Sequence, residues 1–340
     1  MFDPRLEIFS TCPPSSGDGP GTYAERVVQV ARWSERAGCR GILVYSDNSL
    51  LDAWLVSQRI VEATRSLCPL VAVQPVYMHP YTVAKMVTTF ASLHGRRVYL
   101  NLVAGGFKND LEALGDRTPH DRRYERLVEY TTIVRQLLSG QKPVTLAGEH
   151  HQVERLKLSP PLPPDLFPGV FVSGSSEAGR AAARSLEATA IEYPKPAQDG
   201  PALPGEPGLE RGIRVGLIAK KSEDEAWGLA RARFPEDRKG QLAHQLAMKV
   251  SDSVWHGQLS GMTEAANGHP YWLVPFQNYK TMCPYLVGSH ERVGAELARY
   301  LSAGCRTFIL DVPRDPDDLD QTEAAFERAL ELCAKPSLIS

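Results

Sequence analysis

The sequence predicts a (β/α)8 TIM barrel, and three observations carry that expectation. Short apolar runs of strand length alternate with amphipathic helical stretches along almost all 340 residues, the pattern of parallel βαβ units. Eight such runs can be counted, a number that suits a closed barrel better than an open doubly wound sheet. No Gly-x-Gly-x-x-Gly follows the first run, which counts against a dinucleotide-binding half.

Leu6–Ser10 is the first strand candidate. The helix Tyr23–Ala37 has Tyr23, Val27, Val30 and Ala31 at helical spacing, and Ala37-Gly38 closes it as glycine does past a helix end. Gly41–Ser46 is the second buried run, and Asp52 is placed to cap the helix Asp52–Arg65. Leu70–Gln74 pairs with helix Thr82–His94. Val98–Val103 precedes His120–Leu138, which gathers Leu127, Val128, Thr131, Val134, Leu137 and Leu138 on one face. Val170–Ser173 leads into helix Ser175–Leu186, and Thr189–Glu192 is the sixth run. Ile213–Ala219 precedes Glu223–Arg233, and Arg306–Asp311 precedes Asp318–Cys333.

Three stretches exceed a bare barrel within one expected domain, 1–340. Residues 143–157 read as a hairpin around Ala147-Gly148. Residues 194–210 carry Pro194, Pro196, Pro201, Pro204 and Pro207 and cannot form a packed helix. A domain boundary there would leave two strands on one side, too few for a parallel sheet, so the segment reads as a loop replacing an outer helix. Residues 235–285, rich in Gly, His and aromatics, read as a lid-like insertion.

Composition narrows the partners. With 38 Lys+Arg against 40 Asp+Glu, no field gathers nucleic acid or an anionic membrane. The six cysteines show no metal or disulfide spacing and read as buried thiols. The start, Met1 running into Asp3-Pro4-Arg5, shows no secretory leader, so a soluble cytoplasmic setting is expected.

Candidate chemistry concentrates at strand ends. In Phe171-Val172-Ser173-Gly174-Ser175-Ser176-Glu177 a strand breaks at glycine into a helix opened by two serines. Exposed helix N–H groups and two hydroxyls suit a phosphate, although Ser is also an ordinary N-cap. His120 and Tyr124, four apart, share a helix face, able to reach one phosphate or to lie half-exposed and in the core respectively. Asn101 inside Val98–Val103 must find hydrogen-bond partners, from a ligand or from the backbone. Asp47-Asn48-Ser49 fits the chemistry face or an Asx-turn. Arg214 would pair an anionic substrate or lie at the lower rim. His150-His151 lack metal partner spacing, so no metal site is expected.

In chain order, Gly17-Asp18-Gly19, Asp52-Ala53-Trp54, Asn101–Gly106, His120-x-x-x-Tyr124-Glu125, Gly174-Ser175-Ser176 and Asp224-Glu225-Ala226-Trp227 resemble the bacterial luciferase-like flavin-dependent monooxygenases, closest to their alkanesulfonate monooxygenase branch. The resemblance runs from about residue 6 to the last helix. It implies a TIM barrel with an FMN phosphate held by Gly174, Ser175, Ser176, His120 and Tyr124, and the flavin ring near Asn101. It also implies a non-prolyl cis peptide behind the ring at Ala72-Val73. Such enzymes are typically two-component: a separate NAD(P)H:flavin reductase supplies reduced FMN, and O2 is the co-substrate. A homodimer or higher homo-oligomer is expected.

The departures bear on the substrate. Leu50 stands where the sulfonate branch carries Cys, Gly216 where it carries His, and Ser16 where a His precedes Gly17-Asp18-Gly19. Arg214 is retained, and the lid Arg falls near Tyr279 or Lys280. Arg214, Tyr279 and Lys280 are therefore the candidate catalytic residues, His256 and His269 secondary lid candidates, and a simple alkanesulfonate is not the expected substrate. Two further readings share the barrel: a deazaflavin-dependent oxidoreductase, and a non-catalytic flavin-binding barrel.

Overall fold

A computed structural model of the chain describes residues 1–16, 19, 21–195, 208–250 and 269–334, with backbone only for 247–250. The chain begins with β1 (Glu7–Thr11), α1 (Thr22–Arg36), β2 (Gly41–Val44), α2 (Ala53–Ala63), β3 (Cys68–Val73), α3 (Pro80–His94) and β4 (Tyr99–Val103). It continues with α4 (Lys108–Ala113), α5 (His120–Ser139), the hairpin β5 (Val144–Ala147) and β6 (Gln152–Leu156), then β7 (Gly169–Ser173), α6 (Glu177–Ser185) and β8 (Thr189–Glu192). β9 (Arg211–Lys220), α7 (Glu223–Arg233), α8 (Arg238–Val250), β10 (Tyr271–Trp272), α9 (Val274–Gln277), β11 (Tyr285–Ser289), α10 (His290–Ser302), β12 (Thr307–Leu310) and α11 (Pro316–Ala334) complete it.

Eight of these strands close on themselves in the order β9-β12-β1-β2-β3-β4-β7-β8, with β8 pairing back to β9. The barrel pairings are parallel, as the alternation with helices requires. This is the expected (β/α)8 barrel. β9 pairs with both β8 and β12, so the strands on either side of 194–210 belong to one closed sheet. The loop expected over 194–210 lies mostly outside the described residues, as do Gly17, Asp18, His256 and much of the expected lid.

Period-two alternation sorts the strand residues. Ile8, Ile42, Val71, Leu100, Val172 and Phe308 face the helices and join the large core. Phe9, Leu43, Leu70, Tyr99, Phe171, Ile191 and Ile309 face inward and form a second cluster that plugs the barrel. The rings of Phe9, Tyr99 and Phe171 meet at 5.1–5.8 Å between centroids, favourable aromatic spacing. Above the plug, at the C-terminal strand ends, the inward positions turn polar.

Local signals mostly act as expected. Asp52 caps α2, accepting from the Trp54 and Leu55 amides, and Gly38 takes the left-handed conformation after α1. The expected hairpin forms around residues 148–151, and the amides of Glu149, His150 and His151 donate to Glu129 of α5. Three expectations need correction. The peptide between Ala72 and Val73 is trans; among the described residues the only cis bond is Ser159–Pro160. β3 runs through 72–73 in unbroken register with β4, which leaves no irregularity for a cis bond. The pair β11–α10 was not expected: the expected insertion ends at residue 285, and residues 286–302 carry no expected element. β11 adds to residues 216–220 of β9, outside the closed circuit, so an eight-strand count does not call for it. Of the six free thiols, Cys333 is exposed and the other five are buried.

Candidate active site

The polar strand ends surround a cavity of about 510 Å³, within the size range of small-molecule sites. Of the candidate catalytic residues and those expected to hold the cofactor, all but Val73 line it. Val73 alternates outward into the helix-facing core, so Ala72 alone of that pair reaches the site.

One wall is built where β7 ends and α6 begins. Gly174 lies directly against the Tyr124 phenol, and a Cβ at position 174 would overlap that hydroxyl. Ser176 is the N-cap of α6 and accepts from the Gly179 amide at 3.1 Å, so for this serine the ordinary-cap reading holds. Ser175 differs: its Oγ is buried, lines the cavity and has no hydrogen-bond partner. A buried hydroxyl without a partner costs about 1–3 kcal/mol, which a ligand acceptor would remove. From α5, His120 stacks edge-on to Tyr124 at 5.3 Å. Its Nδ1 contacts Asp121 at 2.7 Å, leaving Nε2 as the ring atom available to the cavity.

The floor is formed by inward side chains of several strands. Ser173 Oγ donates to Asn101 Oδ1 at 2.7 Å, so the buried asparagine is satisfied by a side chain rather than by backbone. Arg214, only 9% exposed, lies over the Tyr45 ring at 4.8 Å, a cation–π distance. Its Nε and Nη2 are buried and have no hydrogen-bond partner. Beside it Asp311 accepts from Tyr285 Oη at 2.7 Å. A side chain at position 216 would overlap the Tyr285 ring, so Gly216 makes room for the tyrosine that holds Asp311.

The rim is set by loops. Asp47 forms an Asx-turn, accepting from the Ser49 amide and hydroxyl at 2.6 and 2.7 Å. Tyr77 donates to Asn48 at 2.7 Å, and burial, with Asp47 and Asp110 adding, pushes its phenol up to about 12. Tyr279 comes from the 235–285 excursion with a left-handed φ of 57°, a costly conformation for a large side chain. Burial first, then Asp47 and Asp110, raises the Tyr279 phenol and keeps it protonated. Lys280 also lines the cavity, but its ammonium pairs with Asp237 at 2.6 Å. Within the same excursion His269 accepts from the Tyr271 amide and does not line the cavity.

Tyr45, Gln74, Tyr193 and Asp311 also line the cavity and were not expected from the sequence. Each ends or follows a barrel strand, and that position was the available signal. Glu125, Glu149 and His150 lie close enough to suggest a metal group. The Arg122 guanidinium, however, pairs with both carboxylates, so they serve a cation already in the chain. No described helix is long and apolar enough to cross a membrane.

Comparisons with known proteins bear on the family and the fold. Residues 5–307 match the family described as luciferase-like monooxygenase. The chain is 33% identical over 302 residues to the 4-(gamma-L-glutamylamino)butanoyl-[BtrI acyl-carrier protein] monooxygenase BtrO of Niallia circulans, covering 86% of this chain and 88% of that relative. Among solved structures, a long-chain alkane monooxygenase (LadA) superposes with a TM-score of 0.73 at 16% identity, covering 98% and 93% of the two chains. An F420-dependent secondary alcohol dehydrogenase superposes with a TM-score of 0.64 at 16% identity, covering 95% and 99%. At these identities the two structural likenesses speak to the fold.

Proposed function

Because the chain belongs to the luciferase-like monooxygenase family, we propose that it is a two-component enzyme. In this reading it binds reduced FMN delivered by a separate NAD(P)H:flavin reductase and uses O2 to oxygenate a small organic substrate. The observation that carries the reading is the unpartnered, buried Ser175 hydroxyl beside the Gly174–Tyr124 contact. Those groups suit a phosphate: α6 directs its first amides and the positive end of its dipole towards the same place, and His120 Nε2 is within the same wall. The donor set and the cavity size fit FMN.

When bound, reduced flavin with O2 supplies the oxidising chemistry. The chain supplies position and environment. Ser175, Tyr124, His120 and the α6 amides bind the phosphate. Asn101, held by Ser173, fixes one edge of the floor. Leu50, Val103 and Leu111 among the lining residues present apolar surface that limits water near the reacting atoms. Tyr279, neutral at Oη and lining the cavity at the rim, offers a hydrogen bond to the reacting group. Lys280 acts through its pair with Asp237, holding the Tyr279 turn in place.

For the substrate, the relative from Niallia circulans is described as acting on an acyl group held by a carrier protein, and we take a polar acyl compound of that kind as the class here. An alkanesulfonate fits poorly, since the Asp311 carboxylate beside Arg214 repels a group that is only anionic.

The test is an oxygen-electrode assay with purified chain, FMN, NADH and a flavin reductase, preceded by anaerobic titration of tryptophan fluorescence with reduced FMN. Stoichiometric quenching is expected, with Ser175→Ala and Tyr124→Phe each weakening binding about tenfold. Binding of a reduced deazaflavin in place of FMN, with no oxygen uptake, would instead favour the deazaflavin reading that the F420-dependent neighbour keeps in view. Tight FMN binding with no oxygenated product would favour a flavin-binding barrel.

A further inference from the structure

Two opposite charges face the same cavity from neighbouring barrel strands without neutralising each other. Arg214 sits on β9, and the β9–β12 register sets Ile309 beside Arg214 and Leu310 beside Val215. Asp311 follows one residue later on the same inward alternation, one step diagonally from Arg214. No ion pair joins them within 4.0 Å; Arg214 keeps two buried nitrogens unpartnered, and the hydrogen bond made by Asp311 comes from a neutral phenol, Tyr285.

Leaving a buried guanidinium and a carboxylate side by side and unpaired is expensive, and each possible ligand class answers that cost differently. A pure anion satisfies Arg214 and is repelled by Asp311. A pure cation meets the reverse. A neutral group leaves both charges unmet. A group carrying a carboxylate and an ammonium on one carbon can satisfy both at once, since the two partners line one cavity from adjacent strands. The surrounding residues hold the pair for this: Tyr45 stacks on the guanidinium, and Tyr285, in the space left by Gly216, fixes the carboxylate.

We propose that this wall binds an α-amino-acid head group of the substrate, its carboxylate on Arg214 and its ammonium on Asp311, so that the bond to be oxygenated lies further along the substrate, towards the cavity mouth. The assignment deepens the monooxygenase reading and rests on it for the identity of the bound molecule as substrate.

The experiment is isothermal titration of the FMN-loaded protein with three probes: L-glutamate 5-propylamide, its α-methyl ester and its N-acetyl derivative. FMN is titrated first into each variant. The 5-propylamide is expected to bind, and each blocked form to bind at least about tenfold more weakly. Asp311→Asn should weaken the 5-propylamide by a similar factor while leaving the N-acetyl derivative unchanged. Arg214→Gln should weaken it while leaving the methyl ester unchanged. The proposal is overturned if either blocked form binds as tightly as the parent, or if the parent gives no heat up to about 10 mM. Failure of the wild-type protein to bind FMN faults the flavin reading instead; FMN binding without probe selectivity faults only this inference. The probe series on the wild-type protein stands even if a variant does not fold.

Discussion

Two glycines decide how close side chains come to the site, and each supports a quantitative expectation. At Gly174 a methyl group would displace the Tyr124 hydroxyl. Gly174→Ala should therefore raise the FMN dissociation constant by more than about tenfold, about 1.4 kcal/mol. Adding Tyr124→Phe should recover part of the loss in a fluorescence titration, because the overlapping atom is then absent. At Gly216 the obstacle is the Tyr285 ring, fully buried and bonded to Asp311. Gly216→Ala should cost about 1–3 kcal/mol in denaturant unfolding, the usual range for overpacking. Pairing it with Tyr285→Ala should give a combined cost smaller than the sum of the two single changes. Gly216 also shows why a one-residue departure in a sequence can change chemistry. The absence of a side chain there admits the Tyr285 ring, whose hydroxyl donates to the Asp311 carboxylate at the cavity.

At the scale of elements, the site depends on helix starts, and α5 begins without a side-chain cap of its own, since Pro119 occupies that position. The preceding loop holds it instead. Asp116 accepts from the Thr118 amide at 3.0 Å, the Thr118 hydroxyl at 2.6 Å and Arg126 Nη2 at 2.6 Å. Burial opposes ionisation of this carboxyl, but Arg126 and Thr118 outweigh it and lower it to about 2. A group depressed on folding stabilises the protein at pH above its ordinary value near 3.8, and that contribution disappears as pH falls through about 2. Asp116→Asn should therefore cost about 1–3 kcal/mol at pH 7. The difference from the unaltered protein should vanish between about pH 4 and pH 2, as followed by urea unfolding at stepped pH. Because His120 and Tyr124 ride on the first turns of α5, the same variant should also weaken FMN binding at neutral pH. Signals of this local kind were legible in the chain: Asp52 before α2, Gly38 after α1 and the serines before α6 each act within four residues of where they stand. The β11–α10 unit was missed although Ser289 caps α10 and Val293, Leu297, Tyr300 and Leu301 are buried at helical spacing. It is a complete strand–helix unit that adds to the sheet without closing it, and the expectation of eight units left it no place.

For the molecule as a whole, closure of the barrel is what makes a site. Alternation of strands and helices is a local property, so the eight strands of the closed barrel were readable along the chain. Convergence is not local: Tyr45, Asn101, Tyr124, Ser175, Arg214 and Asp311 are spread over more than two hundred residues and meet only because β8 pairs with β9. The motifs proposed to hold a flavin could be found because their order resembles that of a known family. Tyr45, Tyr193 and Asp311 carry no motif, and inward position at a strand end is a property of register that appears only once the strands are paired. With a formal charge of −2, the molecule has no strong long-range field, so selectivity resides in the cavity. The central claim is that this cavity grips a flavin by its phosphate. Its most direct measurement is an anaerobic titration of the unaltered protein and Ser175→Ala with reduced FMN and, separately, reduced riboflavin, which lacks the phosphate. The account predicts that FMN binds at least about tenfold more tightly than riboflavin and that the gap narrows sharply in Ser175→Ala. Equal affinity for the two flavins, or a gap untouched by the substitution, would contradict it.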